Sequence, residues 1–460
     1  MTFSDYIDYL RGKRICVIGF GVSNQPLVRV LLQNGCDVTV CDRRERAQLG
    51  VTGDEAAAQG AKFALGADYL EHLDFDVIFR TPGVLPIVPQ LRAAAQNGAI
   101  LTSEMEAFCN LCPCRILAIT GSDGKTTTST ITAELLRAQG YTVHLGGNIG
   151  TPLFDRIADI RPDDFAVLEL SSFQLHSMHC APDVAIITNI SPNHLDVHPD
   201  LEDYVSAKCS IYRGQRPDGV LVLNARDAHT PRFAAEAPGS VRYFSSIGPV
   251  ENGVYCSDGV IYRAHGGKAE KLIDVSDIRI PGAHNVENYM AAFAATDGLV
   301  GQAACVQVAR SFAGVPHRME RIRELNGITF INDSIASSPT RTIAGLHALP
   351  KPPVIILGGH DKHIPFDELG DEVCLHAKAA VVVGETAQRI AAAIRGSKFY
   401  DPGKLPLVEA QDFRAAVETA YRLAQPGDTV TLSPACSSFD FFKNFAERGD
   451  TFRAIVESLQ

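Results

Sequence analysis

The segment AITGSDGKTTT, at residues 118–128, carries the residue types of a phosphate-binding loop. An apolar run precedes it and an amphipathic run follows it, which predicts a strand, a glycine turn and a helix. Backbone N–H groups at the start of such a helix, together with its dipole, favour an anion. Gly121 and Gly124 would let the backbone approach a nucleotide. Lys125 would reach its terminal phosphates, and Thr126 would bind Mg²⁺.

The spacing of this loop departs from the common phosphate-loop pattern. G-x-x-x-x-G-K-[ST] requires a glycine at position 119, where this sequence has Ile119. An acid, Asp123, falls where a triphosphate would approach. Its side chain could cap the helix while pointing away from the phosphates, or it could lie close to a metal ion. A surface turn with an incidental lysine is the alternative, and the strand–turn–helix context argues against it.

Polar residues at the ends of two later strands could bind the metal ion that accompanies a nucleotide. Glu169 ends the apolar run FAVLE, and Asn193, His194, Asp196 and His198 follow the run VAIITNIS. Since parallel strands place ligands at their carboxyl ends, we expect Glu169 and His194 to be metal ligands. Asp196 and His198 are expected to be capping or surface groups.

A second nucleotide-type turn lies near the start of the chain. GFGVSN, at residues 19–24, is an imperfect G-x-G-x-x-G turn with Asn24 in the third position. Asp42 ends the next predicted strand, as the acid of a dinucleotide or nucleotide-sugar site would. A tight strand-to-helix turn explains the glycines equally well. An NAD(P)-dependent oxidoreductase built on this unit would leave the loop at 118–128 unexplained.

Strand and helix patterns alternate through the chain and predict an α/β fold of mainly parallel sheets with flanking helices. We expect three domains: a Rossmann-like domain at 1–103, a P-loop ATPase-type domain at 104–314 and a Rossmann-like domain at 315–460. Local patterns predict a helix that ends near Asn34 with Gly35 as its C-cap, a hairpin in GVYCSDGVIYRAHGG, an alanine-rich helix over 285–299 and a helix after Thr386.

Polar side chains at strand ends of the third block suggest a ligand crevice, with caps and turns as the alternative. The residues concerned are Asp333, Lys362, Ser437, Ser438 and Lys443.

Composition excludes several classes of protein. The net charge of −11 argues against a general nucleic-acid binder. The first residues lack the apolar stretch of a signal peptide, and no run approaches the length of a membrane span, so we expect a cytoplasmic protein with reduced thiols. Cys109, Cys112 and Cys114 could suggest zinc, but they offer three ligands without a second pair, so ordinary thiols are expected.

Six motifs, in order, resemble the Mur ligases of peptidoglycan synthesis. These are AITGSDGKTTT, LELSSFQL, TNISPNHLD, GAHNVENYMAA, PHRME and INDS, and they extend over essentially the whole chain. The family uses a G-[TS]-[ND]-G-K-T-T loop, in which Ile119 is normal. ELSSFQL and SPACSSFDFFKNFAERG resemble the members that add D-glutamate to UDP-N-acetylmuramoyl-L-alanine, and the D-N-P-R motif of the diaminopimelate-adding members is missing from the sequence.

The resemblance implies a role for individual residues. The implied catalytic residues are Lys125, Glu169, His194 and Lys208, the last as a carbamate, and the implied metal ligands are Thr126, Glu169, His194 and Lys208. The implied ATP contacts are Gly121, Ser122, Asp123, Gly124, Lys125, Thr126, Thr127, Asn285, Asn288, His317, Arg318 and Asp333. The implied UDP-sugar contacts are Gly21, Ser23, Asp42, Asn148, Ser171 and Gln174. The implied D-glutamate contacts are His194, Ser337, Lys362, Ser438 and Phe445.

The resemblance further implies an ADP-forming amide ligase that uses ATP and two Mg²⁺ ions and works through an acyl phosphate. We expect a monomer whose last domain closes about a hinge at 314–317. The alternatives are a related ligase for another amino acid, such as L-glutamate, and a non-enzymatic nucleotide-binding regulator. Two positions depart from the family pattern: Ile335 replaces the lysine of N-D-S-K-A-T, with Ser337 at its threonine, and Arg43 stands where a small hydroxyl residue is common.

Overall fold

The computed structural model describes residues 1–192, 197–361 and 364–460. These residues form three β-sheets flanked by helices, and most neighbouring strands are parallel. The predicted fold class, α/β with three sheet-based domains, is confirmed. Within the described ranges, no helix combines the length and apolar character that a membrane crossing requires.

The first sheet is parallel throughout and carries the GFGVSN turn. Its strands are β1 (Arg14–Ile18), β2 (Asp37–Asp42), β3 (Lys62–Leu65), β4 (Val77–Phe79) and β5 (Ile100–Thr102). Its helices are α1 (Phe3–Arg11), α2 (Asn24–Gln33), α3 (Gly50–Ala58), α4 (Pro89–Gln96) and α5 (Glu104–Leu111). The strand order is β3-β2-β1-β4-β5, so the winding reverses at β1 and a ligand crevice is expected at its carboxyl end.

The second sheet carries the phosphate-type loop. Its strands are β6 (Arg115–Thr120), β7 (Val143–Gly147), β8 (Phe165–Glu169), β9 (Val184–Ile187), β10 (Val220–Asn224), β11 (Ser240–Ser245), β12 (Gly253–Ser257), β13 (Val260–His265) and β14 (Lys268–Asp274). Its helices are α6 (Lys125–Ala138), α7 (Ser172–Leu175), α8 (Leu201–Arg213), α9 (Thr230–Glu236), α10 (Ala283–Ala295) and α11 (Gln302–Ser311). In the order β14-β13-β12-β11-β10-β9-β6-β8-β7, the strand before the loop lies between β8 and β9, again at a reversal of winding.

The third sheet is parallel except for its first pair of strands. Its strands are β15 (Glu320–Leu325), β16 (Ile328–Asn332), β17 (Val354–Leu357), β18 (Ala379–Val382), β19 (Leu407–Glu409) and β20 (Thr429–Leu432), in the order β15-β16-β20-β17-β18-β19. Its helices are α12 (Pro339–Ala348), α13 (Asp367–His376), α14 (Ala387–Gly396), α15 (Phe413–Leu423) and α16 (Phe445–Ser458).

Backbone contacts divide the chain into two compact units, Met1–Phe312 and Ala313–Gln460. The first unit holds the first two sheets, and one continuous apolar cluster joins them: Val17 and Phe79 of the first sheet belong to the same core as Leu168 of the second. The predicted boundaries at 103 and 314 stay predictions.

Several local predictions are confirmed and one helix is displaced. The helix predicted to end near Asn34 is α2, and its C-cap is Asn34; Gly35, predicted as the C-cap, is the next residue and has a φ of 75°. β12 and β13 form the predicted antiparallel hairpin, which β14 extends. The alanine-rich helix begins and ends earlier than predicted, because Gly282, at φ 104°, precedes its first turn.

Candidate active site

The glycine loop at 121–124 joins β6 to α6 as the sequence predicts. Ile119 is a buried residue of β6, paired with Glu169 of β8 on one side and Ile186 of β9 on the other. The loop therefore begins only at Gly121, and no glycine is needed two residues earlier. Gly121 has a φ of 145°, and a Cβ there would lie 1.9 Å from the Thr188 hydroxyl, so only glycine fits.

The backbone of the loop is held in place by the segment that follows β9. The Asn189 side-chain carbonyl accepts from the N–H of Asp123 at 2.9 Å, and the Thr188 hydroxyl donates to the Asp123 carbonyl at 2.6 Å. The Ser122 hydroxyl donates to the Ser191 carbonyl at 2.9 Å. These contacts preorganise the loop without using the Asp123 carboxylate.

The expectation that Asp123 caps α6 is wrong. The N-cap residue is Gly124, which has a left-handed backbone with φ 76° and makes no side-chain cap bond. Asp123 lies one residue earlier with its side chain exposed.

Lys125 begins α6 and folds back over the loop. Its Nζ donates to the carbonyls of Gly121 at 3.0 Å and Ser122 at 2.8 Å. The ammonium therefore lies over the same backbone that would cradle a phosphate, and a bound anion would compete with these two carbonyls for it. Thr126 follows in the first helical turn and is buried.

Glu169 offers a metal-binding oxygen at the end of β8. Its side chain is 1% exposed, and its Oε1 accepts from Asn148 Nδ2 at 2.8 Å. Its Oε2 is buried and has no hydrogen-bond partner among the described residues. A buried carboxylate oxygen without a partner is costly, and a divalent cation bound through it would remove that cost. The donor set therefore fits Mg²⁺.

The Glu169 carboxylate is expected to control metal affinity. In Glu169→Gln, a neutral amide replaces the charged oxygen, so the Mg²⁺ concentration for half-maximal activity should rise about tenfold or more. The measurement is the initial rate as a function of Mg²⁺ concentration. Glu236→Gln, on α9 of the same unit, is the control, and an unchanged Mg²⁺ dependence in Glu169→Gln would remove Glu169 from the metal site.

Lys208 of α8 lies at the same loop, although its helix pattern suggests a solvated lysine. It is 1% exposed, and its Nζ donates to the Gly121 carbonyl at 2.8 Å. The ammonium also lies 4.5 Å from the centre of the Tyr204 ring. Burial first, and then the neighbouring charge of Lys125, hold the pKa of Lys208 well below its ordinary value.

Two asparagines of α10 reach the start of α6, as expected for a nucleotide contact. Asn288 Oδ1 accepts from the Thr128 hydroxyl at 3.2 Å, and a Cβ on Gly124 would lie 2.3 Å from that oxygen. Asn288 Nδ2 in turn donates to Asn285 Oδ1 at 3.2 Å. The pair is therefore packed directly against the loop, but the contacts that it would make to a base or ribose stay predictions.

The crevice of the first sheet is built around Asp42, which is buried. Its Oδ2 accepts from the N–H of Phe20 at 2.6 Å, in the turn after β1. Arg44 donates from Nε to Oδ1 at 3.0 Å and from NH2 to Oδ2 at 2.9 Å, and these bonds offset the burial and hold the pKa of Asp42 below its usual range. Both carboxylate oxygens are thus engaged by the chain itself, and sequence reasoning missed Arg44. Gly21 and Ser23 lie in this turn, before α2.

The one-turn helix α7 carries the predicted sugar contacts Ser171 and Gln174. They form a capping box: the N–H of Ser171 donates to Gln174 Oε1 at 2.9 Å, and the N–H of Gln174 donates to Ser171 Oγ at 3.3 Å. The two side chains therefore shape the helix start, which lies two residues beyond Glu169.

The expectation that His198 is a capping or surface group is wrong. Its side chain is fully buried, with Nδ1 2.6 Å from Asp203 Oδ2 and Nε2 3.0 Å from the Ser172 hydroxyl. His176 Nε2 shares the same carboxylate at 3.1 Å. These residues tie α7 to α8, the helix of Lys208, and their separation in sequence concealed the cluster.

The third sheet brings several predicted residues to its carboxyl edge. Asp333 is buried after β16, where Oδ2 accepts from the Ser433 hydroxyl at 2.9 Å and Oδ1 from the N–H of Met319 at 3.1 Å. Ser438 is buried, Ser337 is half-buried and Phe445, at the start of α16, is exposed. The neighbours of Asp333 on the preceding segment, His317 and Arg318, are buried and exposed respectively.

A buried arginine missed by sequence reasoning organises this edge. Arg448 of α16 donates to the carbonyls of Ser334, Cys436 and Ser437 at 2.8 to 3.1 Å, and its Nε donates to the Ser334 hydroxyl at 3.0 Å. It therefore links the loops after β16 and β20. Ser437 supports the same arrangement through its carbonyl, whereas Lys443 is exposed and its N–H is bound by Glu447.

The burial of Asp333 is expected to give the C-terminal unit a characteristic pH dependence. Burial raises the pKa of Asp333 from 3.8 to about 6, so the folded chain holds this proton more tightly than the unfolded chain does. The stabilisation is complete below the unfolded value and is lost as the pH rises through the folded one. Relative to wild type, Asp333→Asn should therefore gain about 2 kcal/mol between pH 4 and pH 7. Calorimetric unfolding at several pH values tests this, and parallel profiles for the two proteins would contradict it.

Known proteins resemble this chain over its full length. A UDP-N-acetylmuramoylalanine--D-glutamate ligase of Acetivibrio thermocellus is 46% identical over 461 residues, which cover 99% of each chain. A protein of the same name from Clostridium botulinum is 43% identical over 459 residues, covering 100% of this chain and 99% of the relative. The chain belongs to the Mur ligase family. Within this Mur ligase, residues 119–296 match the Mur ligase middle domain and residues 317–436 match the glutamate ligase domain.

Solved Mur ligase structures share its fold. A MurF structure from Acinetobacter baumannii matches with a TM-score of 0.56 and 19% identity, covering 96% of this chain and 90% of that one. UDP-N-acetylmuramate-alanine ligase MurC from Thermotoga maritima matches with a TM-score of 0.53 and 17% identity, covering 97% and 99%. The family predicted from the motifs is confirmed.

Some predicted residues of this Mur ligase lie outside the described residues. They are Asn193, His194, Asp196 and Lys362. Of the cysteines considered for zinc, Cys112 and Cys114 have their Sγ atoms 3.4 Å apart. Among the described residues, the groups with metal-binding spacing are instead His176, His198 and Asp203, and the exposed set His347, Glu372 and His376.

Proposed function

We propose that the chain is an ATP-dependent, ADP-forming ligase that joins D-glutamate to UDP-N-acetylmuramoyl-L-alanine in peptidoglycan precursor synthesis. The observation that carries this proposal is the convergence of two lysines on one glycine loop, with Nζ of Lys125 and Nζ of Lys208 both donating to the Gly121 carbonyl. The buried Glu169 acts electrostatically on the second of them. The full-length likeness to D-glutamate ligases supports the choice of amino acid.

The first step is the activation of a carboxylate. An oxygen of the alanyl carboxylate attacks the γ-phosphorus of ATP, the bond from that phosphorus to ADP breaks, and an acyl phosphate forms. Phosphate is then a far better leaving group than oxide would have been. Lys125 neutralises charge on the transferring phosphoryl group, which is the main contribution that a protein makes to this reaction.

The proposed metal ligands are Thr126, Glu169, His194 and Lys208, of which the structure describes Thr126, Glu169 and Lys208. Mg²⁺ held there would neutralise further charge on the phosphates and on the acyl phosphate. Lys208 can serve only as a carbamate, because an amine or ammonium is a poor ligand for a hard cation. Its nitrogen bonds to the carbon of CO₂ and releases one proton, and the lowered pKa of Lys208 favours the neutral amine that this addition needs.

The second step forms the amide. The amine of D-glutamate attacks the acyl carbon, the bond from that carbon to the phosphate oxygen breaks, and the nitrogen loses a proton. Ser337, Ser438 and Phe445, with His194 and Lys362, are the proposed contacts for D-glutamate. The proposed ATP contacts of the C-terminal unit are His317, Arg318 and Asp333. Water must be excluded during both steps, since it would hydrolyse the acyl phosphate.

The proposal is tested by the substrate dependence of phosphate release. ATP, UDP-N-acetylmuramoyl-L-alanine and D-glutamate together should release phosphate, and omission of any one should abolish release. Replacing D-glutamate by L-glutamate, and then by other amino acids, tests the related ligase as the competing function. Release that requires neither the muramoyl substrate nor an amino acid would contradict the proposal.

A further inference from the structure

Arg80 is a fully buried arginine at the end of β4 that neither the phosphate loop nor the glutamate residues explain. It is 1% exposed, and its backbone N–H donates to the Thr102 carbonyl of β5 at 2.9 Å. Among the described residues, no carboxylate lies within ion-pair distance of its guanidinium. Burial lowers the pKa of Arg80 to about 10, so the side chain still carries its charge at neutral pH. A buried charge of this kind needs fixed dipoles around it.

Some of these dipoles belong to the chain just after β4, where NH1 of Arg80 donates to the carbonyls of Thr81 at 3.5 Å and Val84 at 3.4 Å. The others belong to α7 and to Ser177, two residues beyond its end. NH2 of Arg80 donates to the carbonyls of Phe173 at 3.0 Å and Gln174 at 3.3 Å, and Nε donates to the Ser177 hydroxyl at 2.9 Å. The last carbonyls of a helix lack partners inside it, and a cation satisfies both them and the helix dipole. A helix of one turn is unstable alone, so Arg80 is a substantial part of what holds α7 in position.

The backbone of Arg80 also borders the crevice of the first sheet. β4 is the neighbour of β1 at the reversal of winding, and the N–H of Thr81 donates to the Ile18 carbonyl at 3.0 Å. A Cβ on Gly19 would lie 2.9 Å from Thr81, so residues 19 and 81 are in direct contact. Two consecutive residues, Arg80 and Thr81, therefore join the turn proposed for the nucleotide to the helix proposed for the sugar.

We infer that Arg80 is a positioning residue. It fixes the position of α7, at the muramoyl end of the substrate site, relative to the turn after β1, at the uridine end. The inference rests on the proposed function, because Ser171 and Gln174 of α7 are proposed muramoyl contacts. α7 has independent links to its own sheet through the Ser172–His198 contact and the cluster around Asp203. Loss of the Arg80 fork should thus leave α7 near the second sheet but release it from the first.

The test compares enzyme variants on the complete substrate and on a truncated substrate. Arg80→Met and Arg80→Lys are assayed with UDP-N-acetylmuramoyl-L-alanine and with the 1-phosphate of N-acetylmuramoyl-L-alanine, which lacks the uridine. For the complete substrate, Arg80→Met should raise KM about tenfold or more, with kcat and the KM for ATP changed less than threefold. For the truncated substrate, KM should change less than threefold. This substrate lacks the uridine, so its binding does not depend on the position of α7 relative to the turn after β1. Arg80→Lys keeps the charge but loses the fork and should fall between wild type and Arg80→Met.

Arg242→Lys is the matched control, since NH1 of Arg242 also donates to carbonyls at a helix end: that of Ala294 in the last turn of α10 and that of Asp297 just beyond it. It should leave both KM values unchanged. Equal losses for the two substrates, or an equal rise in the KM for ATP, would show that Arg80 only supports the fold and would overturn the inference. Failure of wild type to turn over the complete substrate would instead overturn the proposed function. If Arg80→Met does not fold, the Arg80→Lys comparison decides the matter by the same criteria.

Discussion

Replacing Lys125 by alanine is expected to lower kcat by about 10³-fold or more, the largest effect of any single substitution at the loop. The Nζ of Lys125 donates to two carbonyls of its own loop, those of Gly121 and Ser122, and we expect its removal to leave the fold in place. It does remove the charge that meets the transferring phosphoryl group. Loss of a comparable charge or donor aimed at a transition state has effects of this size in other enzymes. The measurement is the steady-state rate of phosphate release.

Two further variants separate charge from geometry at this position. Lys125→Arg keeps the charge but presents a planar fork in place of a compact ammonium, so it should recover only part of the rate. Lys268→Ala, which removes an exposed lysine of β14, should behave as wild type. A Lys125→Ala enzyme with near-normal kcat and an unchanged thermal midpoint would remove the loop from the mechanism.

Replacing Lys208 by methionine is expected to lower kcat about 10²-fold or more without unfolding the protein. Methionine fills a similar buried volume, and among the described residues the site loses the hydrogen bond to the Gly121 carbonyl and the contact of the ammonium with the Tyr204 ring. The rate should fall because the proposed carbamate, and with it a metal-binding anion, is lost. Phosphate release at saturating substrates measures the effect.

Labelled bicarbonate distinguishes a carbamate from a plain buried amine. With ¹³C-bicarbonate, wild type should show a carbamate resonance that is missing in Lys208→Met, and removal of dissolved CO₂ should lower the wild-type rate reversibly. Lys125→Met should retain the resonance, since Lys125 is not its carrier. Identical spectra for wild type and Lys208→Met would contradict carbamylation and leave Lys208 as an unmodified buried lysine beneath the loop.

The glycine loop at 121–124 shows which structural features a short sequence segment can predict. An apolar strand, a glycine turn and a helix start are all encoded within about a dozen residues, so β6, the loop and α6 lie where the pattern predicts. The same pattern left Ile119 as an anomaly, and the pairing of that residue inside β6 explains it. Asp123 was predicted as a cap because acids are common there, but the left-handed Gly124 occupies that position.

His198 and Lys208 show that a local sequence pattern does not predict which polar side chains are buried. A histidine in a polar segment after a strand and a lysine on an amphipathic helix are usually solvated. The local pattern gives no sign to the contrary, and only the family resemblance singled out Lys208. The burial of His198 depends on Ser172, and that of Lys208 on Gly121, groups 26 and 87 residues away along the chain. Desolvation is a property of what packs around a side chain, so no window of sequence contains it.

The sequence by itself determined the kinds of elements, the order of the motifs and, through them, the family and its reaction. Those features depend on the spacing of residues that are close in sequence and on the chemistry of their side chains, and both can be read from the sequence. Only the tertiary structure decided which groups share a site: the partnerless oxygen of Glu169, the buried amine of Lys208 and the fork of Arg80 on the carbonyls of α7. Each depends on elements from different parts of the chain being packed together. Buried charges and hydrogen bonds to helix-end carbonyls contribute strongly to the free energy only where packing excludes water.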